Sequence, residues 1–475
     1  MPRRTKIVAT LGPTSSDRQT LARMIEAGLD VVRMNFSHGT AREHAARLEL
    51  VRNLARKAGH SVGVLVDLQG PKIRIGRFKH DKITLRSGEK FVLDAECTLG
   101  DGGRVGLDYQ NLPKDVAPGD TLLLDDGRIV LGVTQVKGPR IFCLVEQGGA
   151  LSNNKGINRK GGGLTAPALT GKDMQDIKTA AQLKADFLAV SFPRSGADIQ
   201  RARDLMLKAG GKSMICAKIE RAEAIPALAE ILDAADSIMV ARGDLAVEVG
   251  DAAVPALQKR MIRMARDRNK LVITATQMME SMIDNPIPTR AEVSDVANAV
   301  LDGTDAVMLS VETATGKYPV ETVAAMARVC LEAEKDETFI TERRRAAPPA
   351  SVEEAIARAT IFTANTLNIK AVAALTQSGK TALLMSRMNS NVPIYALSAV
   401  VETRRRVSLF RGVYPLNFKG ARNPERALYM AEDELLRCGA VNHGDYIVLT
   451  IGEPFGKAGG TNTMKIVKVG EHRQA

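Results

Sequence analysis

Lys218 and Glu220 stand two apart, so a β-strand through them points both side chains to one face, and Asp244 follows a little further on. Two carboxylates are hard oxygen ligands of the kind Mg²⁺ or Mn²⁺ takes when water and phosphate complete its shell. An ammonium beside them suits the charge of a phosphoryl group in transfer. A plain Lys218–Glu220 ion pair is the other reading. Arg33 and Arg74 carry the planar fork that grips phosphate oxygens. His38 has the chemistry of a general base and equally of a structural hydrogen-bonder. Asn35, Ser37 and Asp67 form an oxygen-rich set that fits a monovalent cation or an ordinary polar network.

Most of these residues fall at the C-terminal ends of short, apolar, β-branched runs. The runs are 6–10, 31–36, 62–68, 187–192, 214–220, 238–242, 271–276 and 306–310. Arg33, Asn35, Ser37 and His38 belong to the second, Asp67 to the third, and Lys218 and Glu220 to the fifth. Gly243 and Asp244 follow the sixth, Thr276 ends the seventh and Ser310 the eighth. A buried charge costs several kcal/mol unless it is paired or metal-bound. Charges at one end of six strands therefore point to one shared site, with a purely structural ring of ion pairs as the alternative.

Helix signals separate the runs. Thr289 and Glu292 make a capping box, with Val293, Val296, Ala297, Val300 and Leu301 at helical spacing and Gly303 beyond. Ser16 with Gln19 reads the same way before Leu21, Met24 and Ile25. Eight buried strands alternating with helices predict a (β/α)₈ barrel, a doubly wound open sheet being the alternative. The gap from Pro71 to Thr170 has another texture: turns at Ser87-Gly88, Pro118-Gly119-Asp120 and Asp126-Gly127 break up short alternating strands such as 121–124. It reads as a small all-β domain, a β-barrel, inserted in a βα loop where it would close as a lid. A polar stretch, Thr341 to Pro349, reads as a linker. Beyond it, a helix started by Ser351 and strands at 371–375, 394–397, 413–418 and 446–450 predict an α/β domain. The expected division is 1–70 with 171–345 for the barrel, 71–170 for the lid, and 346–475 for the C-terminal domain.

The 475 residues are 45% hydrophobic and 25% charged, which excludes disorder as the main state. No apolar run is long enough for a bilayer, and the N-terminus lacks a signal-peptide core, so a cytoplasmic protein without membrane contact is expected. The five cysteines are scattered without a Cys-x-x-Cys pair, which argues against structural zinc and a disulfide framework. The charge of +12 fits anionic phosphorylated substrates; with 4% aromatics and no Trp, stacking platforms for nucleic acid are scarce and none is expected as a partner.

The C-terminal region holds Ala374-Leu375-Thr376-Gln377-Ser378-Gly379-Lys380-Thr381 between a strand and a helix. It is close to a Walker A loop, but Ala374 replaces the first Gly. A phosphate nest formed by Thr376, Ser378, Gly379, Lys380 and Thr381, with the segment Gly459-Gly460-Thr461-Asn462-Thr463, would take a sugar-phosphate effector. Simple N-capping by Thr376 and Ser378 is the other reading.

Over nearly its whole length the chain resembles the pyruvate kinase family. The resemblance is carried by Lys6 to Pro13, Arg33-Met34-Asn35-Phe36-Ser37-His38-Gly39, Asp67 to Arg74, Lys218-Ile219-Glu220, Met239 to Leu245, and Ala275 to Met282 with Asp302 to Ser310. It implies phosphoryl transfer from phosphoenolpyruvate to ADP giving pyruvate and ATP, the last step of glycolysis, by a homotetramer with a barrel, a β lid and a C-terminal effector domain. By position, Arg33 would hold substrate phosphate, Lys218 the transferring group, and Glu220 and Asp244 the Mg²⁺ (or Mn²⁺). The Gly243 and Asp244 amides and Thr276 would take the substrate carboxylate. Arg74 and Lys155, with Asn35 and His38, would reach the nucleotide. Thr276 and Ser310 lie where a proton relay is expected, and Asn35, Ser37, Asp67 and Leu68 where a monovalent cation sits. Sugar monophosphates, fructose 1,6-bisphosphate and AMP are the effector candidates.

Three departures stand out. Lys72 replaces a common Glu and would put an ammonium where K⁺ charge sits, with Leu68 as its companion, so K⁺ is expected not to be required. Ala246 replaces a usual Gly, which would cost ~1 kcal/mol if that position needs a positive φ. Val311 replaces a small residue and would crowd the relay. A metal-dependent aldolase or lyase using the same carboxylates without a nucleotide is the competing enzyme class, and a phosphate-sensing or nucleic-acid-binding protein the competing non-enzyme class.

Overall fold

The computed structural model describes residues 2–336, 348–420, 423–454 and 460–471. Most of the expected linker, the boundary at 345/346 and Gly459 lie outside them. Eight parallel strands close into a barrel: Lys6–Thr10, Val31–Asn35, Gly63–Asp67, Phe187–Val190, Met214–Ile219, Ser237–Ala241, Leu271–Ala275 and Ala306–Leu309. Each pairs with its sequence neighbours and the first pairs with the eighth, which excludes the open doubly wound sheet. The strands read as unbroken apolar runs because both faces are covered. Ile7 and Ala9 pack outward on the helices, while Val8 joins Leu65, Phe187, Met239 and Ile273 in the interior.

The helix over Arg290–Leu301 starts with the Thr289–Glu292 capping box as expected. The first helix, Arg18–Glu26, is capped one residue later than Ser16: Asp17 accepts from the Gln19 and Thr20 amides, a better cap because its carboxylate also meets the positive helix end. Ala246 lies inside the helix Arg242–Val249 with no positive φ, so it carries no strain. Val311 opens a four-residue helix and is half-exposed rather than packed around Ser310.

At the barrel's N-terminal rim a pattern repeats four times. Asp30, Asp186, Asp236 and Asp305 each sit immediately before an even-numbered strand. Each accepts from the backbone amide of the preceding odd strand: Ile7 at 2.8 Å, Val64 at 2.9 Å, Ile215 at 2.7 Å and Val272 at 2.9 Å. Three also pair with a guanidinium: Arg3, Arg203 and Arg387. Among the described residues Asp186 has Arg52, Arg405 and Arg406 only at longer range, and burial pushes its carboxyl up to about 6. The folded state thus holds a proton there that the unfolded chain gives up near pH 4. The associated stability is full below pH 4 and lost as pH rises through about 6, on the order of 2 kcal/mol. Asp186→Asn keeps the acceptor for Val64 and is expected to remove that part of the pH dependence. Urea midpoints of the two proteins compared across pH 4 to 7.5 check it; parallel curves refute it.

Residues 82–159 form a six-stranded sheet and a two-stranded one around a core of their own, including Phe91, Leu93, Leu122 and Ile141. This unit leaves the barrel after the third strand and returns before the fourth, on the side of the strands' C-terminal ends. The C-terminal sheet runs in the order Val413–Asn417, Ile394–Ser398, Ile369–Leu375, Tyr446–Gly452, Thr461–Lys468. Its last strand is antiparallel and was not anticipated, because Thr461, Asn462 and Thr463 read as loop. This region stops the barrel's lower end: Val407, Leu409 and Phe410 belong to the same apolar cluster as Leu65 and Phe187. The approach is close enough to need Gly63, where a Cβ would stand 2.9 Å from the Arg405 carbonyl oxygen.

Candidate functional site

The opposite rim gathers the charged strand ends. Arg33, on the second strand, donates from Nε to Asp67 Oδ2 at 2.7 Å and from Nη1 to Thr10 at 3.0 Å. The other Asp67 oxygen faces Lys218 Nζ at 3.4 Å. Lys218 also meets Glu220 Oε1 at 2.8 Å and donates to Ser191 Oγ at 2.8 Å. Strand alternation puts Lys218 and Glu220 on one face, as their spacing requires. The second Glu220 oxygen accepts from the Phe192 amide at 2.8 Å. Lys72 Nζ approaches Asp244 Oδ1 at 3.4 Å. The result is a chain of alternating charge, Arg33–Asp67–Lys218–Glu220, with a second carboxylate at Asp244.

Burial and these neighbours set the proton affinities. Burial alone would raise the Asp67 carboxyl, but Lys218 and Arg33 overcome it and hold it below its ordinary value. Burial alone would lower Lys218, yet Asp67 and Glu220 push its ammonium above the ordinary lysine value. Glu220 rises to about 7, through burial first and then repulsion from Asp244, with Lys218 opposing. The repulsion between Glu220 and Asp244 is what a divalent cation between them would relieve. Among the described residues no cluster of three or more metal-ligating side chains exists. Two oxygen ligands with open positions suit Mg²⁺, which keeps water and phosphate in its shell. Glu220 and Asp244 therefore fit the metal.

A cavity of about 220 Å³ brings together Arg33, Asn35, Ser37, His38, Asp67, Leu68, Lys72, Arg74, Lys218, Glu220 and Asp244. Gly243, Thr276, Ser310 and Lys155 do not line it. The Gly243 amide donates to Thr276 Oγ1 at 2.9 Å, so these two expected carboxylate ligands are bonded to each other beside Asp244. Thr276 and Gln277 both have positive φ, 67° and 54°. For a β-branched residue that is a strained backbone, fixing the hydroxyl at the seventh strand's end. Ser310 donates its amide to Glu312 at 2.7 Å. Lys155 pairs with Asp125 inside the inserted unit at 2.8 Å, and Arg74 donates to the Asn154 carbonyl oxygen. Asn35 Oδ1 accepts the Ser37 amide, and both Asp67 oxygens face protein cations.

Two partners were missed. Ser191 and the Phe192 amide hold Lys218 and Glu220 from the fourth strand's end. The signal was the hydroxyl of Ser191 closing an apolar run.

A second cavity, of about 160 Å³, lies in the C-terminal region and includes Thr376, Ser378, Lys380, Thr381 and Thr461. Thr376 Oγ1 accepts the Gly379 amide at 2.9 Å and Ser378 Oγ the Lys380 amide at 3.3 Å, in the turn before the helix, while the N-cap position itself is Gly379 and carries no side-chain cap. Gly379 itself has φ 85°, and a Cβ there would stand 2.9 Å from Val407.

Comparisons with known proteins agree with this arrangement. The family model described as "Pyruvate kinase, barrel domain" matches residues 2–323, and "Pyruvate kinase, alpha/beta domain" matches 354–467. The chain is 52% identical to pyruvate kinase II of Salmonella typhimurium, covering 98% of this chain and 99% of that one. It is 53% identical to a pyruvate kinase of Haemophilus influenzae, over 95% and 96%. The crystal structure of a pyruvate kinase from Cryptosporidium parvum superposes with a TM-score of 0.92 at 33% identity, over 98% and 96% of the two chains. With the barrel, the paired carboxylates and the lysine between them already in place, these matches over both halves put the chain in the pyruvate kinase family.

Proposed function

We propose that the rim cavity is where the family's reaction takes place in this enzyme, transferring the phosphoryl group of phosphoenolpyruvate to ADP. The observation that carries this reading is the Arg33–Asp67–Lys218–Glu220 charge chain with Asp244 facing it. Arg33, fixed by Asp67 and Thr10, grips the substrate phosphate. Lys218 stands over the transferring group, its ammonium kept charged by two carboxylates, and offsets the charge that builds in transfer. Glu220 and Asp244 would hold Mg²⁺ (or Mn²⁺), which would supply positive charge to the oxygens of the substrate phosphate. The Gly243 and Asp244 amides and Thr276 turn to the substrate carboxylate. An ADP terminal oxygen attacks phosphorus, the P–O bond to the enol oxygen breaks, and the enolate carbon takes a proton delivered through water by Thr276 and Ser310. Arg74, Lys155, Asn35 and His38 meet the nucleotide, Lys155 leaving Asp125 to do so. Pyruvate formation from phosphoenolpyruvate and ADP, coupled to lactate dehydrogenase, tests the reading; pyruvate released without ADP would point to lyase chemistry.

The units 1–70 with 171–345, 71–170 and 346–475 act as barrel, lid and effector domain. A phosphorylated metabolite, a sugar phosphate or AMP, takes the C-terminal cavity, whose hydroxyls and Lys380 suit phosphate oxygens. Exposed Ile287 and Val293 on the barrel, and Phe362 and Tyr446 on the C-terminal region, are the apolar surfaces a homotetramer would cover. No helix among the described residues is long and apolar enough to cross a membrane.

K⁺ is not required. The Asn35 and Asp67 oxygens are already engaged, and Lys72 supplies a positive charge at the cavity. Turnover in buffer free of sodium and potassium is expected to equal that with K⁺ added; many-fold activation by K⁺ overturns this.

A further inference from the structure

Both segments by which the inserted β unit joins the barrel are tied to one short helix, Arg242–Val249. At its start, Asp244 faces Lys72 on the outgoing segment at 3.4 Å. At its end, Glu248 makes three contacts in different directions. Its Oε1 accepts from Asn158 Nδ2 on the returning strand at 3.2 Å. Its Oε2 accepts from the Ala222 amide at 2.9 Å, two residues past Glu220. Its carbonyl oxygen accepts from the Gly161 amide at 3.0 Å. Around it, Arg221 donates to the Leu164 carbonyl oxygen at 3.2 Å, and the Gly163 amide donates to Glu223. Glu248 and Arg221 are 5% and 4% exposed, so this polar cluster lies inside the hinge. None of it lines the rim cavity.

We propose that Glu248 is a positioning residue: its carboxylate latches the inserted unit onto the helix that carries Asp244 in its first turn and onto the loop that follows Glu220, so that closing over the nucleotide and setting the two metal-binding carboxylates are one movement. A hinge contact that served packing alone would need no carboxylate reaching two bodies at once. A buried carboxylate accepting two N–H bonds is costly to leave half-satisfied, so the latch favours one placement of the unit. The proposal rests on the reading that the nucleotide binds between this unit and the rim.

Asn158→Asp sets a second carboxylate against Glu248 and should push the unit open. The expected result is a KM for ADP raised at least about tenfold, the scale of losing a charged hydrogen bond, with the KM for phosphoenolpyruvate and the unfolding midpoint changed far less. Glu248→Gln added to Asn158→Asp exchanges amide and carboxylate across the contact and should bring the ADP KM back. Amide hydrogen exchange at 72–75 and 157–161 should rise in the single variant and return in the double. A double variant no better than the single, or an Asn158→Asp protein whose two KM values and midpoint fall together, overturns the latch. So does unchanged exchange in the hinge segments. Arg74→Ala and Lys155→Ala separate the two readings: if they leave the ADP KM untouched, the nucleotide placement fails and the latch is judged by exchange alone.

Discussion

Lys218→Met is expected to lower kcat by at least about 10³-fold, the scale of removing a principal electrostatic stabiliser. Methionine keeps the unbranched apolar stem and removes the ammonium with its charge and its hydrogen bond to Ser191. The ammonium lies 2.8 Å from Glu220 and 3.4 Å from Asp67, both buried. Its loss takes one of the two cations from Asp67, which keeps Arg33, and pushes Glu220, already at about 7, further up. The KM for phosphoenolpyruvate should move less than kcat, because Arg33 still grips the phosphate and the missing charge acts on the group in transfer. Steady-state kinetics beside a thermal midpoint separate this from misfolding. A folded variant with turnover near that of the parent would show that Lys218 is only an ion-pair partner.

Arg387→Met is expected to cost about 3–5 kcal/mol of stability, the range found when one partner of a buried pair is removed. Arg387 and Asp305 are both fully buried, and the guanidinium grips both carboxylate oxygens. Asp305 also accepts from the Val272 and Arg411 amides, so it is fixed and cannot turn to water when its partner goes. Arg387 further donates to the Lys270 carbonyl oxygen at 2.8 Å, which joins the C-terminal region to the seventh strand's start. Adding Asp305→Asn should recover part of the loss by removing the stranded charge. Denaturant unfolding of the two variants and the parent checks it; a single variant within about 1 kcal/mol of the parent would mean the pair holds nothing.

The barrel was legible because its strands announce themselves twice, as apolar runs and by what ends them. Val31, Gly63 and Leu271 begin strands within a residue or so of the expected starts. Glu220 and Asp244 were picked out for the same reason and Lys218 by its spacing from Glu220, and the three do line one cavity. What stayed hidden depends on contacts between segments far apart. Asp67 was placed in an oxygen-rich cation set, and nothing local tells that Arg33 and Lys218 occupy both its oxygens. Lys155 was placed at the nucleotide, yet here it turns to Asp125, a choice governed by the position of the whole inserted unit. Asp17 displaced Ser16 as a cap because both residue types cap well and only geometry decides. The aspartates of the lower rim escaped notice since each lies one or two residues before a run, where a polar residue looks like loop.

Those aspartates bear on how the chain finds its shape. Three of the four bonds they make join residues 23, 21 and 33 apart, so each can form within one strand–helix–strand segment. The fourth, from Val64 to Asp186, spans 122 residues because the β unit intervenes. Left as slack chain, that excursion would add about 1 kcal/mol of closure entropy over its counterparts. The β unit cancels the difference once folded: Arg74 bridges to Gly156, so its two ends meet at the cylinder's edge. The inserted unit is thus also a buckle, holding two distant stretches of chain together at the cylinder's edge.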